Sequence, residues 1–259
     1  MWKSKSTSET QPDVAALAHK VDRLSADNHR LVEEFDNIQR HFSSLARSVW
    51  RVQEDERRKL ARELHDGVGQ SLTALRFQLE RLPESTDREN AIELVGQILD
   101  DVRELSRLLR PPVLDDLGLA AALKWLARRM RESSGLPIVA EVDALDEMTL
   151  DDDAETLLFR VVQESLHNTV RHAGASRARL QASRAGNRIE IRISDDGSGF
   201  DVARLDDHPE RAGVGLAGMR DRVRIFGGDL AIRSAPDRGT TITVGLPVDT
   251  ITDSGEAGS

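Results

Sequence analysis

The feature that most constrains this chain is a narrow apolar stripe that runs from Val14 to Val52 without a proline or glycine. Its members alternate at spacings of three and four: Val14, Leu17, Val21, Leu24, Leu31, Phe35, Ile38, Phe42, Leu45, Val49 and Val52. A stripe so long and so thin is the seam of a coiled coil, since a helix packed on its own domain shows a wider apolar face. Val and Leu share the seam in the manner of a parallel two-stranded coil. Asn28 interrupts it at one first position, where a polar residue fixes register at some cost in stability. The competing reading is a single amphipathic helix that packs on its own domain.

The stripe changes phase near residues 52 to 60. Leu60, Leu64, Val68, Leu72, Leu75, Leu79 and Leu82 carry a new one up to Pro83, and a second helix is expected from Asp87 to Leu109. Two such helices joined by a polar turn make a hairpin that cannot bury both stripes alone, which predicts a four-helix bundle built from two chains. Pro111 and Pro112 end the hairpin, and a shorter helix is expected from Leu119 to Glu132. Beyond it the pattern turns mixed. Strands are expected at 138–142, 178–183, 188–194, 229–234 and 240–246, with helices at 154–172 and 216–226. That order predicts an α+β sandwich with helices on one face of a mixed sheet.

Composition narrows the chemistry. A net charge of −9, 3% aromatic residues and no tyrosine argue against direct nucleic-acid binding or an anionic membrane surface. The absence of cysteine excludes disulfides and thiolate metal sites. No apolar run reaches the ~20 residues of a membrane span, and residues 1–12 lack the apolar core of a signal peptide. These observations give the expectation of a cytoplasmic chain. His19, His29, His41, His167, His172 and His208 form no paired-ligand spacing and read as non-ligands.

Asp195-Asp196-Gly197-Ser198-Gly199-Phe200 follows directly on an alternating strand. A carboxylate at a strand end accepts from an exocyclic amine, and the glycines let backbone approach a ligand. On the preceding helix Glu164 and Asn168 stand four apart, with Arg171 and His172 continuing the face, a set suited to Mg²⁺ and phosphates. Downstream, Gly213-Val214-Gly215-Leu216-Ala217-Gly218 leads into a helix, where free N–H groups hold phosphate oxygens. Gly239-Thr240-Thr241 closes the pocket or is simply a hairpin turn.

In this order the three elements resemble the N, G1 and G2 boxes of the Bergerat-type ATP-binding fold shared by histidine kinases, gyrase, Hsp90 and MutL. The resemblance covers about residues 150 to 248. It implies that Asp195 binds the adenine amine, that Asn168 coordinates Mg²⁺ with Glu164 near the metal, and that Gly197, Gly199, Gly213 and Gly215 shape the pocket of ATP. Residues 200–212 would be a short lid, which fits histidine kinases better than gyrase-like ATPases.

His65 lies in Glu63-Leu64-His65-Asp66-Gly67-Val68-Gly69-Gln70, at the edge of the bundle stripe. A neutral imidazole is a competent nucleophile, Asp66 is placed to take the proton, and Asp66 and Gln70 are spaced to share a face. With Leu109-Arg110-Pro111-Pro112-Val113-Leu114-Asp115-Asp116-Leu117-Gly118-Leu119, this segment is similar to the NarX/DesK class of sensor histidine kinases. The bundle implies a homodimer; the resemblance implies phosphorylation of His65 by ATP with Asp66 as base, and a role for Asp66 and Gln70 in dephosphorylating the partner, Gln70 positioning a water. It also implies transfer to an aspartate of a response regulator with a LuxR-type DNA-binding output.

The expected organisation is a disordered N-terminus at 1–13 and a signalling coiled coil at 14–53. A dimerisation and phosphotransfer domain at 54–112 and a linker opening into the ATP-binding domain at 113–149 follow. The catalytic ATP-binding domain at 150–248 and a disordered tail at 249–259 complete it. Two rivals use the same ATP fold: an anti-sigma-like serine kinase, which has no counterpart of the His65 segment, and a non-catalytic dimeric scaffold that sequesters a regulator.

Overall fold

The structure, a computed structural model, describes residues 14–146, 148, 150–202 and 213–247. The expected disordered ends and most of the expected lid, with His208, lie outside these residues. Contacts divide the chain into two units, Met1–Ala46 and Arg47–Ser259.

The first unit is helical from Val14 onward, as part of the long helix α1 (Val14–Arg62). Among the described residues its stripe stays largely exposed. Leu31 is 61% and Phe42 69% exposed, with Phe35, Ile38 and Leu45 similar.

In the second unit α1 continues unbroken to Arg62, through the place where the stripe changes phase. What changes is the face in use. Val49 and Val52 are exposed, while Trp50, Glu54 and Ala61 are buried. A wide π-helical turn, Glu63–Val68, then leads into α2 (Gly69–Glu80). Helix α3 (Thr86–Leu109) starts under Ser85, whose hydroxyl accepts from Arg88 N at 3.2 Å. The Arg88 guanidinium turns back to Leu79 O and Glu80 O, at 3.1 and 3.0 Å, and so ties the two helices at the hairpin tip. Val95 and Leu99 are buried against α2, yet Leu75, Phe77, Leu82, Leu94 and Leu105 remain exposed.

Helix α4 (Pro112–Ser134) begins about two turns earlier than the expected Leu119, because Pro112 at its start presets a helical φ. Gly118, at φ 75°, breaks it after Leu117, a conformation that costs glycine no Cβ clash. The remainder buries Leu119, Ala122, Leu123 and Leu126 in the main core.

That core lies under a five-stranded sheet of order β1-β2-β3-β5-β4, made of β1 (Ile138–Glu141), β2 (Ala178–Ala185), β3 (Arg188–Asp195), β4 (Asp229–Ser234) and β5 (Thr240–Pro247). β1 and β2 run parallel and every other pair antiparallel, so the sheet is mixed as expected. Ile189, Ile191 and Ile193 of β3 and Ile242, Val244 and Leu246 of β5 alternate inward. They meet Leu157, Leu158, Val161 and Val162 of α5 (Asp152–Asn168) and Met219 and Val223 of α6 (Gly213–Ile225). Asp151 starts α5 by accepting from Ala154 N at 2.6 Å. Among the described residues no helix is long and apolar enough to cross a membrane.

Candidate nucleotide site and phosphoacceptor

The end of β3 and the end of α5 form one site. Register pairs Asp195 with Ala178 on one side and Thr240 on the other, so its side chain leaves the sheet at a point fixed from both neighbours. Asp195 Oδ1 accepts from Gly197 N at 3.0 Å and Thr240 N at 3.2 Å. The Thr169 hydroxyl is shared between the Ser165 carbonyl at 3.1 Å and Asp195 Oδ2 at 3.3 Å. Three protein groups therefore hold one carboxylate in a single orientation, half-buried, which is what recognition of a flat amine-bearing ring requires.

The glycine loops have no room for side chains. A Cβ on Gly197 would strike the Ala173 carbonyl, and one on Gly239 would strike that of Asp195. The Ser234 hydroxyl accepts from Phe200 N at 2.9 Å and donates to Gly239 O at 2.9 Å, joining the two loops. Asp196, beside Asp195, turns away: its carboxylate accepts from Ser176 N, Ser176 Oγ and Arg177 N at 2.8, 2.7 and 3.0 Å. These bonds, the Ser176 hydroxyl first, hold its carboxyl below the ordinary aspartate range against a smaller opposing effect of burial.

Asn168 Nδ2 donates to Glu164 Oε1 at 3.3 Å, and the Glu164 carboxylate fills the space where Gly215 lacks a Cβ. Gly213, Gly215 and Leu216 lie in the first turn of α6, whose N–H groups have no helical partners. The arrangement sets an amide and a carboxylate from α5 across from free donors of α6. Arg171 and His172 are exposed on a second π-helical turn, Thr169–Ala173. The wider turn takes His172 out of line with Asn168.

His65 sits on the first π-helical turn, exposed together with Asp66 and Gln70. All three line a groove of about 350 Å³ between α2 and α3, with Thr73, Phe77 and Val102. His65 also borders a cleft of about 630 Å³ that reaches Arg110, Asp152 and Glu155. Burial, then the charge of Asp152, raises the Glu155 carboxyl above its usual range. Burial likewise works to raise Asp115, but the Arg110 guanidinium, 2.6 Å away, together with that of Arg58 outweighs it, and the carboxyl stays below its ordinary range.

The structure thus brings together Glu164, Asn168, Asp195, Gly197, Gly199, Gly215 and Thr240, and groups His65, Asp66 and Gln70 elsewhere. Thr169, Ser234 and Asp196 went unnoticed in the sequence. Ser234 is placed by the pairing of β4 with β5 and Thr169 by the turn that follows α5, while Asp196 sits inside a motif whose first aspartate ends the strand.

Residues 153–250 match the family described as histidine kinase-, DNA gyrase B- and HSP90-like ATPase, so the sheet domain is an ATP-binding domain of that class. Residues 56–114 match the family described as histidine kinase. Among curated relatives, the sensor histidine kinase MctS of Rhizobium johnstonii is 37% identical over 79% of this chain and 46% of its own length. The signal transduction histidine-protein kinase/phosphatase UhpB of Salmonella typhimurium is 38% identical over 89% of this chain and 46% of its own. Among solved structures, the histidine kinase domain of the Erythrobacter litoralis EL346 blue-light activated kinase aligns at 19% identity and a TM-score of 0.46, over 75% of this chain and 94% of that one. The chain belongs to the sensor histidine kinases, and it spans about half the length of the curated relatives it matches.

Proposed function

We propose that this chain, as a homodimer, transfers the γ-phosphoryl group of ATP to its own His65 and passes it to an aspartate of a response regulator. The observation that carries the reading is an exposed histidine in a histidine-kinase segment of the same chain as a pocket built around Asp195. Asp195 binds the adenine amine. Its orientation is held by Thr169, Gly197 and Thr240, so little has to reorganise when the base arrives. The first turn of α6 offers its free N–H groups to the phosphates.

Glu164 and Asn168 fit a divalent cation only in company with a nucleotide. They supply two oxygen ligands, and among the described residues no group of three or more His, Cys, Asp or Glu gathers anywhere. Mg²⁺ accepts such a sparse protein set because phosphates and water complete its shell. When bound, it would offset charge on the phosphates. The remaining chemistry is the protein's: an imidazole nitrogen of His65 forms a bond to the γ-phosphorus, the bond to the β-phosphate oxygen breaks, ADP leaves, and Asp66 takes the ring proton.

Gln70, on the same groove, orients water for the reverse activity, in which the regulator's acyl phosphate is hydrolysed; the Salmonella relative is named as both kinase and phosphatase. A regulator with LuxR-type DNA-binding output remains the partner we propose. The exposed apolar residues of α2 and α3 supply the surface for a second chain, whose hairpin would complete a four-helix bundle.

Incubation with γ-labelled ATP and Mg²⁺ tests the reading. Acid-labile label is expected on the wild type and none on His65→Gln or Asn168→Ala. Acid-stable label that survives His65→Gln would point to the serine-kinase rival, and nucleotide binding with no label at all would point to the scaffold.

A further inference from the structure

Two consecutive aspartates leave the end of β3 in opposite directions, and the nucleotide site described above uses only the first. Asp195 faces the pocket. Asp196 faces the link that joins the π-helical turn Thr169–Ala173 to β2. There it accepts from Ser176 N at 2.8 Å, Ser176 Oγ at 2.7 Å and Arg177 N at 3.0 Å. The Arg177 guanidinium also lies 3.3 Å from it. One carboxylate thus fixes both the backbone and the side chains of the link.

What precedes the link gives that anchorage its consequence. The turn follows directly on Asn168, carries Arg171 and His172, and is wound more widely than α-helix. Such turns are rare and recur at functional sites. Here the turn is tied at both ends to the loop after β3. At its start the Thr169 hydroxyl donates to Asp195 Oδ2 at 3.3 Å. At its end the Ala173 carbonyl accepts from Ser198 N at 2.8 Å, so closely packed that a Cβ on Gly197 would strike it. Gly174, at φ 56°, then turns the chain toward Ser176. Asp196 closes this second tie from its far side, so that residues 196–198 grip residues 173–177.

The two ties act on different ends of a nucleotide. The first, with Gly197 and Thr240, orients Asp195 and therefore the base. The second sets how the turn is wound, and therefore where Arg171 stands relative to Asn168. Released there, the turn is free to rewind toward 3.6 residues per turn, which would swing Arg171 about the helix axis.

We propose that Asp196 is a positioning residue for the phosphate end of the nucleotide: by gripping Ser176 and Arg177 it keeps the turn wound so that Arg171 and Asn168 serve one ligand, while Asp195 holds the base. This rests on the nucleotide-site reading above.

The test separates the two ends of the ligand. Displacement of a fluorescent ADP analogue from the whole chain gives the affinity for adenosine and for ADP with Mg²⁺. The comparison is between wild type, Asp196→Ala, Asp196→Asn and Ser176→Ala, with the thermal midpoint followed in each. Asp196→Ala should weaken Mg²⁺-ADP about tenfold while adenosine stays within about twofold. Both backbone bonds end on Oδ1, an oxygen that Asp196→Asn keeps, so that variant should recover most of the loss. Ser176→Ala removes the single hydroxyl bond and should show a smaller loss of the same kind. It carries the comparison alone if Asp196→Ala does not fold. Adenosine weakened as much as Mg²⁺-ADP, or neither weakened, overturns the proposal and leaves Asp196 a surface anchor. A wild-type chain that binds neither ligand, or binds Mg²⁺-ADP no more tightly than adenosine, would instead sink the nucleotide-site reading, and the positioning role with it.

Discussion

The two halves of this molecule solve the problem of burying apolar surface in opposite ways. The sheet domain closes on itself: Leu158, Phe159, Leu166, Leu180 and Ile191 have essentially no exposed surface. The coil and hairpin leave Phe42 and Phe77 at 69% and 62% exposure. A domain that completes its own core keeps its shape as a single chain, whereas helices that leave apolar faces exposed carry the surface on which our proposed dimer would form. The difference teaches where rigidity and where assembly reside. Asp195 and Thr240 are set by the sheet's register, and the histidine stands on a helical surface whose apolar residues this chain leaves exposed.

The sharpest way to break this comparison is to cut into each half. Phe159→Ala, at a site with no exposed surface, should cost about 3–5 kcal/mol. Denaturant titration of the sheet domain should show that loss, and it should not vary with protein concentration. A loss that shrinks as concentration rises would mean the sheet domain also depends on a partner. In the other half, Leu31→Glu with Phe35→Glu should leave the sheet domain's unfolding unchanged. Losing two buried apolar side chains at about 1.5–3 kcal/mol each should weaken the dimer at least ~100-fold, as sedimentation equilibrium would read. An unaltered dimer would show that the stripe is not its seam.

How far the sequence told of each half follows from the same contrast. Periodicity reports apolar faces, so strands, hairpin and stripe were legible within a residue or two at most ends. It is blind to a buried face made of Arg47, Trp50, Glu54 and Arg58, because charged residues at helical spacing look like solvent. The docking of α1 therefore shows in the sequence only as a change of phase. The α5 helix was expected to run to 172; it gives way after Asn168 to a π-helical turn, as does α1 before His65, and no local propensity distinguishes the two helix types. In the site, Asp195 and the glycines were legible from their motif. Thr240 reaches Asp195 through pairing of β5 with β3, and Thr169 through the packing of the turn after α5 on the end of β3, both contacts distant in sequence.

A smaller effect sharpens the claim that the ATP pocket is preformed. Gly215→Ala would drive a Cβ into the Glu164 carboxylate. Since that carboxylate ends a flexible side chain, the fold should survive with unchanged circular dichroism. Displacing it from the start of α6 should lower nucleotide affinity about tenfold, the equivalent of ~1.4 kcal/mol, as calorimetry with a non-hydrolysable ATP analogue would measure. Full affinity would mean that Glu164 has no part in the site.

The smallest expected effect concerns pH, and it separates the halves by chemistry rather than packing. Asp196 is held below the ordinary aspartate value by its bonds to Ser176 and Arg177. A carboxyl whose pKa is lower folded than unfolded contributes stability that is complete above the unfolded value, about 3.9. That contribution disappears as pH falls through the lower folded value, because the unfolded chain then binds the proton first. Asp196→Asn should therefore lower the thermal midpoint of the sheet domain by a constant small amount from neutral pH down to about 5. The gap to wild type should narrow below about pH 4, where the unfolded chain's carboxyl takes up its proton while the native one is still charged. The group is exposed, so water screens much of the effect. The coil offers no such anchor: its described carboxylates pair only on their own helix, as Asp27 does with Arg30 at 3.3 Å. A gap that stays constant through pH 3 would show that Asp196 holds residues 174–177 by shape alone, and that its charge plays no part.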